Sequence, residues 1–143
     1  MTEVQFHVNV TDPVHYACRL LRKALRQGAR LAVTGSAATL AELDRALWVF
    51  EADEFLPHAV VGDAGSLSPA QRRAPVWLVP RAELGADRPV LVNLGAELAA
   101  GFEGYQRLIE IVSADDEDRE AGRARWRQYQ ARGYTPAKHE ATA

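Results

Sequence analysis

Short, largely apolar runs alternate with longer amphipathic segments along most of this 143-residue chain. The first run, VQFHVNV over residues 4–10, alternates strictly between apolar and polar side chains, which is the period of a half-buried strand. Later runs are typical of short strands covered on both faces, and they lie at 30–34, 76–79, 90–94 and 108–112. This order of elements predicts an α/β fold of three layers, with a mainly parallel sheet and helices on both faces.

Helical segments with clear ends separate the first strands. The first helix is predicted to be capped by Thr11 or Asp12, to carry Pro13 in its first turn, where no N–H is needed, and to end at Gly28. The second is predicted to open at residues 35–36. Its apolar face holds Leu40, Leu43 and Leu47.

The rest of the chain is less regular. Residues 55–61 are apolar, and Pro57 limits any strand there to an edge or to its first residue. Residues 62–74 are rich in Gly, Ser and Pro and are predicted to form a mobile surface loop, while 96–102 predict a short helix. A last helix is predicted from its cap at Ser113 to about Arg132.

Composition bounds the class of protein. A chain of this length predicts a single domain over residues 1–143. The formal net charge is −2 and the pI is near 6.1, which argues against a protein that coats nucleic acid by bulk charge but allows a local basic patch. The single cysteine, Cys18, excludes an internal disulfide. The first ten residues do not resemble a secretory signal and no apolar run is long enough for a bilayer, so we expect a cytoplasmic protein.

Known catalytic and cofactor motifs are missing from the sequence. The turn after the first strand has no glycine, and the turn after the second has only Gly35 and no Lys-Ser/Thr pair, so neither can hold phosphates in the usual way. The four histidines show no metal-ligand spacing, Cys18 lies on an apolar stripe, and no serine stands in a GxSxG turn. We therefore predict no catalytic residue, no metal and no cofactor.

The last helix carries the most informative pattern. Its first turns are acidic, whereas residues 121–132 contain four arginines and no acid. Arg119, Arg123 and Arg127 are spaced by four and share one face with Trp126. Like charges at this spacing repel, so the pattern indicates a site for an anionic peptide end with an apolar side chain. The alternative is a solvated face whose arginine stems cover a core tryptophan.

A second aromatic cluster follows the apolar face of the second helix. Trp48 lies about 100° from the leucine face, where an aromatic residue forms either the edge of the core or an anchor for a partner. The residues of this cluster are Trp48, Phe50, Phe55, Leu56 and Pro57.

Several segments resemble one known family. DRALW at 44–48, FLPH at 55–58 and then Gly62 resemble the DxxLW…F(V/L)PH…G pattern of the chi subunit of bacterial DNA polymerase III. RLAV at 30–33 and RARWRQYQARGY at 123–134 are also similar to that family. The resemblance spans nearly the whole chain, in order.

The resemblance implies a Rossmann- or helicase-like fold without a phosphate loop and a non-catalytic accessory subunit. Such proteins bridge the clamp loader to single-stranded DNA-binding protein (SSB), whose acidic C-terminal tail ends in Phe. By position, the implied tail site comprises Val112, Arg119, Arg123, Trp126, Arg127, Gln130, Gly133 and Tyr134. The family often has Tyr at the position of Trp126 and Lys at those of Arg119 and Arg127, which keeps the ring and the charge.

The other end of the bridge is the psi subunit, held in the family around the positions of Trp48 and Phe55, and an XPD-like helicase is a further partner for that surface. DNA is then contacted mainly through SSB. The alternative function is direct binding of single-stranded nucleic acid by the Arg/Trp face. Residues 134–143 are expected either to cover the tail site or to be disordered.

Overall fold

Strands and helices alternate along the computed structural model, which describes residues 1–50, 56–62, 67–85 and 87–141. The strands are β1 Glu3–Val10, β2 Leu31–Thr34, β3 His58–Val60, β4 Val76–Val79, β5 Val90–Asn93, β6 Arg107–Ser113 and β7 Ala137–Glu140. The helices are α1 Pro13–Arg26, α2 Ala37–Val49, α3 Pro69–Arg73 and α4 Asp116–Ala131. Short 3-10 turns lie at Ala82–Gly85 and Phe102–Gly104.

All the strands form one sheet in the order β3-β4-β2-β5-β6-β1-β7, and every neighbouring pair is parallel. Alternate side chains of the strands point to opposite faces. Leu31 and Val33 join the core beneath α1 and α2, whereas Ala32 joins the core on the face that holds Tyr129 of α4. The predicted three-layer α/β fold is confirmed.

Local capping sets the helix ends close to the predicted ones. The Asp12 carboxylate accepts a hydrogen bond from the His15 amide, and Pro13 begins α1. The Ser36 hydroxyl accepts one from the amide of Thr39 at the start of α2. Helix α4 begins later than predicted, since Asp115 rather than Ser113 is its N-cap residue. None of the helices among the described residues is long and apolar enough to cross a membrane.

The prediction of a mobile loop over 62–74 is wrong for its second half. Ser68 and Gln71 form a reciprocal capping box that begins α3. The buried Arg88 guanidinium stacks 3.5 Å from the centre of the Trp77 ring and donates to the Arg72 and Ala74 carbonyls at the end of α3. A capping box within the segment therefore begins α3, and Arg88 from outside the segment holds its end.

The predicted short helix at 96–102 is also wrong. The side-chain amide of Asn93 donates to the Glu97 carbonyl, and its oxygen accepts from the Gly95 amide. Arg125 donates to the Ala96 carbonyl at 2.7 Å. Because side chains hold these backbone groups, they are not left for helical hydrogen bonds.

The C-terminal residues add an edge strand. Residues 137–140 form β7, which pairs in parallel with β1 from Gln5↔Ala137 to Val8↔Glu140. Tyr134, just before it, packs against the Phe102 ring at 5.3 Å. These contacts fix the chain after α4 at the edge of the sheet next to β1.

A partly buried histidine, His7, lies at the junction of β1, β7 and α1. His7 Nδ1 is hydrogen-bonded to the Tyr16 hydroxyl, and its ring lies 4.9 Å from that of His139. Burial, and after it the nearby His139, lowers the pKa of His7 from 6.5 to about 4. Tyr16 of α1 and His139 of β7 contact its ring, and Arg19 of α1 lies over the ring of Tyr16.

We expect this histidine to make stability depend on pH. The unfolded chain binds a proton at His7 near pH 6.5, the folded chain only near pH 4, so this contribution is complete above pH 6.5 and is lost as the pH falls toward 4. Proton NMR titration should give His7 a pKa near 4, and H7Q should lose less stability than wild type between pH 7 and pH 4.5. A His7 pKa near 6.5 would contradict the prediction.

Candidate functional site

Helix α4 has one face in the core and one in solvent. Gly122, Arg125 and Tyr129 are buried, whereas Arg123 and Arg127 are exposed. The spacing of 100° per residue explains why Arg123 and Arg125, only two positions apart, lie on nearly opposite sides of the helix.

A groove of about 470 Å³ runs between the exposed face of α4 and the edge strand β7. Its floor is apolar and is formed by Phe6 and Val8 of β1 and Val112 of β6. Its walls are formed by Arg119, Gly122, Arg123, Trp126 and Arg127 of α4 and by Asn9, Lys138 and Glu140.

Small and aromatic residues give the groove its shape. At Gly122 an added Cβ would lie 2.9 Å from a methyl carbon of Val112, so only glycine lets α4 approach β6 this closely. The Trp126 ring packs on Phe6 with the ring centres 5.1 Å apart. Trp126 is partly buried by this contact, and its remaining surface lines the groove.

The arginines of this wall are not neutralised within the described part of the chain. No described carboxylate lies within ion-pair distance of Arg119, Arg123 or Arg127. Across the groove, Lys138 pairs with Glu140 at 3.6 Å, and both side chains are more than half exposed. The groove therefore presents an excess of positive charge over an apolar floor.

A buried polar network holds α4 against the sheet. The Glu110 carboxylate is fully buried and accepts hydrogen bonds from Arg125 Nε at 3.1 Å, from the Tyr129 hydroxyl and from Asn93 at 3.0 Å. Burial raises the pKa of Glu110, and the Arg125 guanidinium and these hydrogen bonds oppose that rise. The network fixes which face of α4 is turned to solvent.

Comparison with known proteins places the chain in a family. Its sequence matches the family described as DNA polymerase III chi subunit, HolC, over residues 1–137. The chain belongs to the DNA polymerase III chi subunit family. The chi subunit of Pseudomonas aeruginosa is 34% identical over 144 residues, which cover 97% of this chain and 96% of that protein. The chi subunits of Haemophilus influenzae and Escherichia coli are 29% and 24% identical and are covered over 80% and 78% of their length.

Family membership assigns the chain an accessory role in DNA replication by DNA polymerase III, as the resemblance had implied. Of the residues predicted for the tail site, the structure brings five together in the groove: Val112, Arg119, Arg123, Trp126 and Arg127. The other three do not line it. Gln130 and Gly133 are exposed at the end of α4, and Tyr134 packs against Phe102 and Tyr129.

The groove also contains residues that the chi pattern did not single out. They are Phe6, Val8, Asn9, Gly122, Lys138 and Glu140. The alternation of the first strand placed Phe6 and Val8 on one face, but only the order of the strands shows that this face lies beside α4. No sequence signal pointed to Lys138 and Glu140, since a segment of four exposed residues has no apolar pattern.

The second surface predicted from the resemblance, around Trp48, lies near the β3 edge of the sheet, opposite the β7 edge that borders the groove. Trp48 is 58% exposed, and its ring meets that of His58 at 5.1 Å. His58 is held by the Asp44 carboxylate at 2.8 Å and the Leu56 carbonyl at 2.7 Å. The exposed Val60 of edge strand β3 extends the apolar character of this region.

The remaining members of that prediction differ in exposure. Leu56 is only 2% exposed and belongs to the core, so it supports the surface without being part of it. Phe50 is partly buried against His15, with Arg22 over its ring, and Pro57 is also partly buried. Phe55 lies outside the described residues.

Proposed function

We propose that this chain is a non-catalytic subunit that connects the clamp loader to the acidic C-terminal tail of SSB. The observation that carries the proposal is the groove beside α4, where three arginines surround a tryptophan above an apolar floor and have no carboxylate partner among the described residues. A tail that ends in acidic residues and a phenylalanine is complementary to this surface in charge and in polarity. The chain would act at the replisome, in the cytoplasm and close to the nucleoid.

In this proposal the tail is recognised by electrostatic and apolar contacts, and no covalent bond is made or broken. Arg123 and Arg127 donate to the carboxylates of the tail, and Trp126 and Val112 receive its apolar end. Each charge-assisted hydrogen bond contributes ~1.5–3 kcal/mol. A short tail also loses conformational freedom on binding, so we expect a micromolar Kd, about −8 kcal/mol. Because SSB is oligomeric, several weak tails together give firm attachment.

Calorimetric titration of the full chain tests the proposal against direct binding of nucleic acid. One arm uses a synthetic peptide of the SSB tail and the other a single-stranded oligonucleotide, both at physiological salt. We expect micromolar binding of the peptide that weakens as salt is raised, since screening shortens the range of the arginine charges. Low-micromolar binding of the oligonucleotide without binding of the peptide would overturn the proposal in favour of direct nucleic-acid recognition.

The Trp48 surface is the proposed docking site for the clamp-loader side. Its partner there is the psi subunit, where the organism has one, and an XPD-like helicase is a second partner for the same surface. Exposed aromatic residues of this kind are common anchors of protein interfaces. Strands β3 and β7, beside which the two proposed surfaces lie, are the opposite edge strands of the sheet, which supports a proposal in which both partners bind at once.

Replacing Trp48 with alanine should separate the two interactions. We expect W48A to weaken binding to psi or the clamp loader by ~2 kcal/mol or more, because an anchoring side chain is lost. Tail-peptide affinity should be unchanged, and Tm should fall only slightly, since Trp48 is more than half exposed and loses its ring contact with His58. Pull-down and peptide titration measure the two effects. Equal losses for both partners would contradict separate surfaces.

A further inference from the structure

The outer face of helix α1 carries charge of one sign only. The Lys and Arg side chains of this helix are Arg19, Arg22, Lys23 and Arg26. No Asp or Glu occurs between Asp12 and Glu42, although the whole chain has a formal net charge of −2. At 100° per residue the four cations lie within an arc of about 100°. This arc is opposite the buried face that is formed by Ala17, Cys18 and Leu21.

The helix macrodipole explains only part of this pattern. Cations in the last turn interact favourably with the C-terminal carbonyls, which accounts for Lys23 and Arg26. Arg19 and Arg22 lie further from the C-terminus, where this effect has fallen off. Because cations spaced by three or four residues repel one another, the two arginines indicate a ligand that carries negative charge.

Contacts within the chain do not balance all of this charge. The Arg19 guanidinium lies 5.7 Å from the centre of the Tyr16 ring, and the Arg22 guanidinium lies 5.1 Å from that of Phe50. No described carboxylate lies within ion-pair distance of Arg19 or Lys23, and Lys23 is exposed. These two charges therefore remain for a ligand outside the chain.

The α1 face offers charge without an apolar surface. The large apolar side chains that are exposed in the described part of the chain all lie outside α1: Met1, Trp48, Val49 and Val60. Tyr16 is partly buried, and its hydroxyl is hydrogen-bonded to His7. A membrane surface or a protein partner would require apolar side chains to bury, and a single strand would require exposed rings on which its bases stack.

Duplex DNA makes neither demand, because its outer surface is a dense array of phosphates, with one charge per about 1.7 Å of helix axis. The first and last cations of the α1 face are about 10 Å apart along the helix, which spans several of these phosphates. Family membership also gives the chain an accessory role in DNA replication. Duplex DNA is therefore the anionic ligand that this face fits best.

We propose that the outer face of α1 binds the phosphate backbone of duplex DNA, without reading its sequence. Arg19 and Lys23 contact phosphates directly, and the charges of Arg22 and Arg26 add to the attraction. Helix α1 packs on the opposite face of the sheet from α4, so this surface is separate from the groove. The proposal does not depend on the proposed function of the groove.

Fluorescence anisotropy of a labelled duplex, titrated with the full chain at several salt concentrations, tests the proposal. With three to four phosphate contacts, we expect a plot of log K against log salt concentration to have a slope of about −3. The double variant R19A/K23A should weaken binding about tenfold or more at about 50 mM salt, equally for different sequences, and reduce the slope by about two. No duplex binding by the wild-type chain at this salt, or an unchanged Kd for the double variant, would overturn the proposal.

The matched control is R73A/R81A, which removes the same charge from two exposed arginines outside α1. Its duplex affinity should remain close to wild type, and equal weakening by the two double variants would overturn the proposal in favour of net charge. R19K/K23R should retain binding. K23A alone changes one exposed side chain, so its slope should fall by about one even if the double variant does not fold.

Two further ligands distinguish duplex DNA from other anions: the single strand of the same sequence and a poly-glutamate peptide. We expect the duplex to bind more tightly than either. Tighter binding of the single strand, or equal binding of poly-glutamate, would contradict the assignment to duplex DNA. Loss of duplex binding in R123A but not in R19A/K23A would assign DNA to the α4 face instead. The affinity of R19A/K23A for the SSB tail should be unchanged, so this proposal and the proposed function can fail separately.

Discussion

Replacing Arg125 with alanine is expected to destabilise the fold by about 3–5 kcal/mol, because the change leaves a buried carboxylate without its cation. Glu110 is fully buried, Arg125 is 1% exposed, and the two are joined at 3.1 Å. Without the guanidinium, the hydrogen bonds from Tyr129 and Asn93 remain to stabilise the buried Glu110 carboxylate, but no described cation does. Denaturant unfolding measures the change directly.

A double replacement controls for the loss of packing at this position. E110Q combined with R125M removes both charges, keeps an oxygen acceptor for Tyr129 and fills the space of the arginine stem. We expect it to be more stable than R125A, since replacing a whole buried ion pair is much less costly than breaking one. A wild-type Tm for R125A would show that the pair is not needed to hold α4.

Replacing Arg123 with alanine should weaken tail binding without lowering stability, the reverse of the effect expected for R125A. We expect a loss of ~1.5–3 kcal/mol in the free energy of binding the SSB tail, about ten- to hundredfold in Kd, because its hydrogen-bond partner lies on another molecule. Tm should remain unchanged, since Arg123 is exposed and has no ion-pair partner among the described residues. Calorimetric titration and thermal unfolding together test this pair of expectations.

Arg45, exposed on α2, provides the control for loss of one positive charge. R45A should leave tail affinity unchanged, because α2 packs on the opposite face of the sheet from α4. A fall of many degrees in the Tm of R123A would assign that arginine a structural role instead. Equal weakening by R45A and R123A would mean that only overall charge matters.

The sequence predicts the elements whose own side-chain pattern shows which residues are buried and which are exposed. Period-two alternation identified β1, caps located α1 and α2, and missing glycines argued against a phosphate loop. The spacing by four placed Arg119, Arg123 and Arg127 on one face, and this face does line the groove. Arg125 is not part of this spacing, and the structure has it buried.

Elements fixed by distant contacts could not be predicted in this way. The Ser68–Gln71 capping box of α3 is a local signal that the loop prediction overlooked, but the end of α3 depends on Arg88 and Trp77, which follow it in the chain. The turn at 95–97 depends on Asn93 and Arg125. β7 has four exposed residues, so backbone pairing with β1 rather than side-chain burial determines it. The β7 wall of the groove could therefore not be predicted from the sequence, whereas the α4 wall could.

The measurement that tests the central claim most directly is a residue-resolved NMR titration of the ¹⁵N-labelled chain with the SSB tail peptide. We expect shift changes concentrated at the Trp126 indole N–H and at the backbone amides of Phe6, Val8, Val112 and Lys138, the residues that meet in the groove. Changes confined to the neighbourhood of Trp48, or none at a saturating excess of peptide, would contradict it.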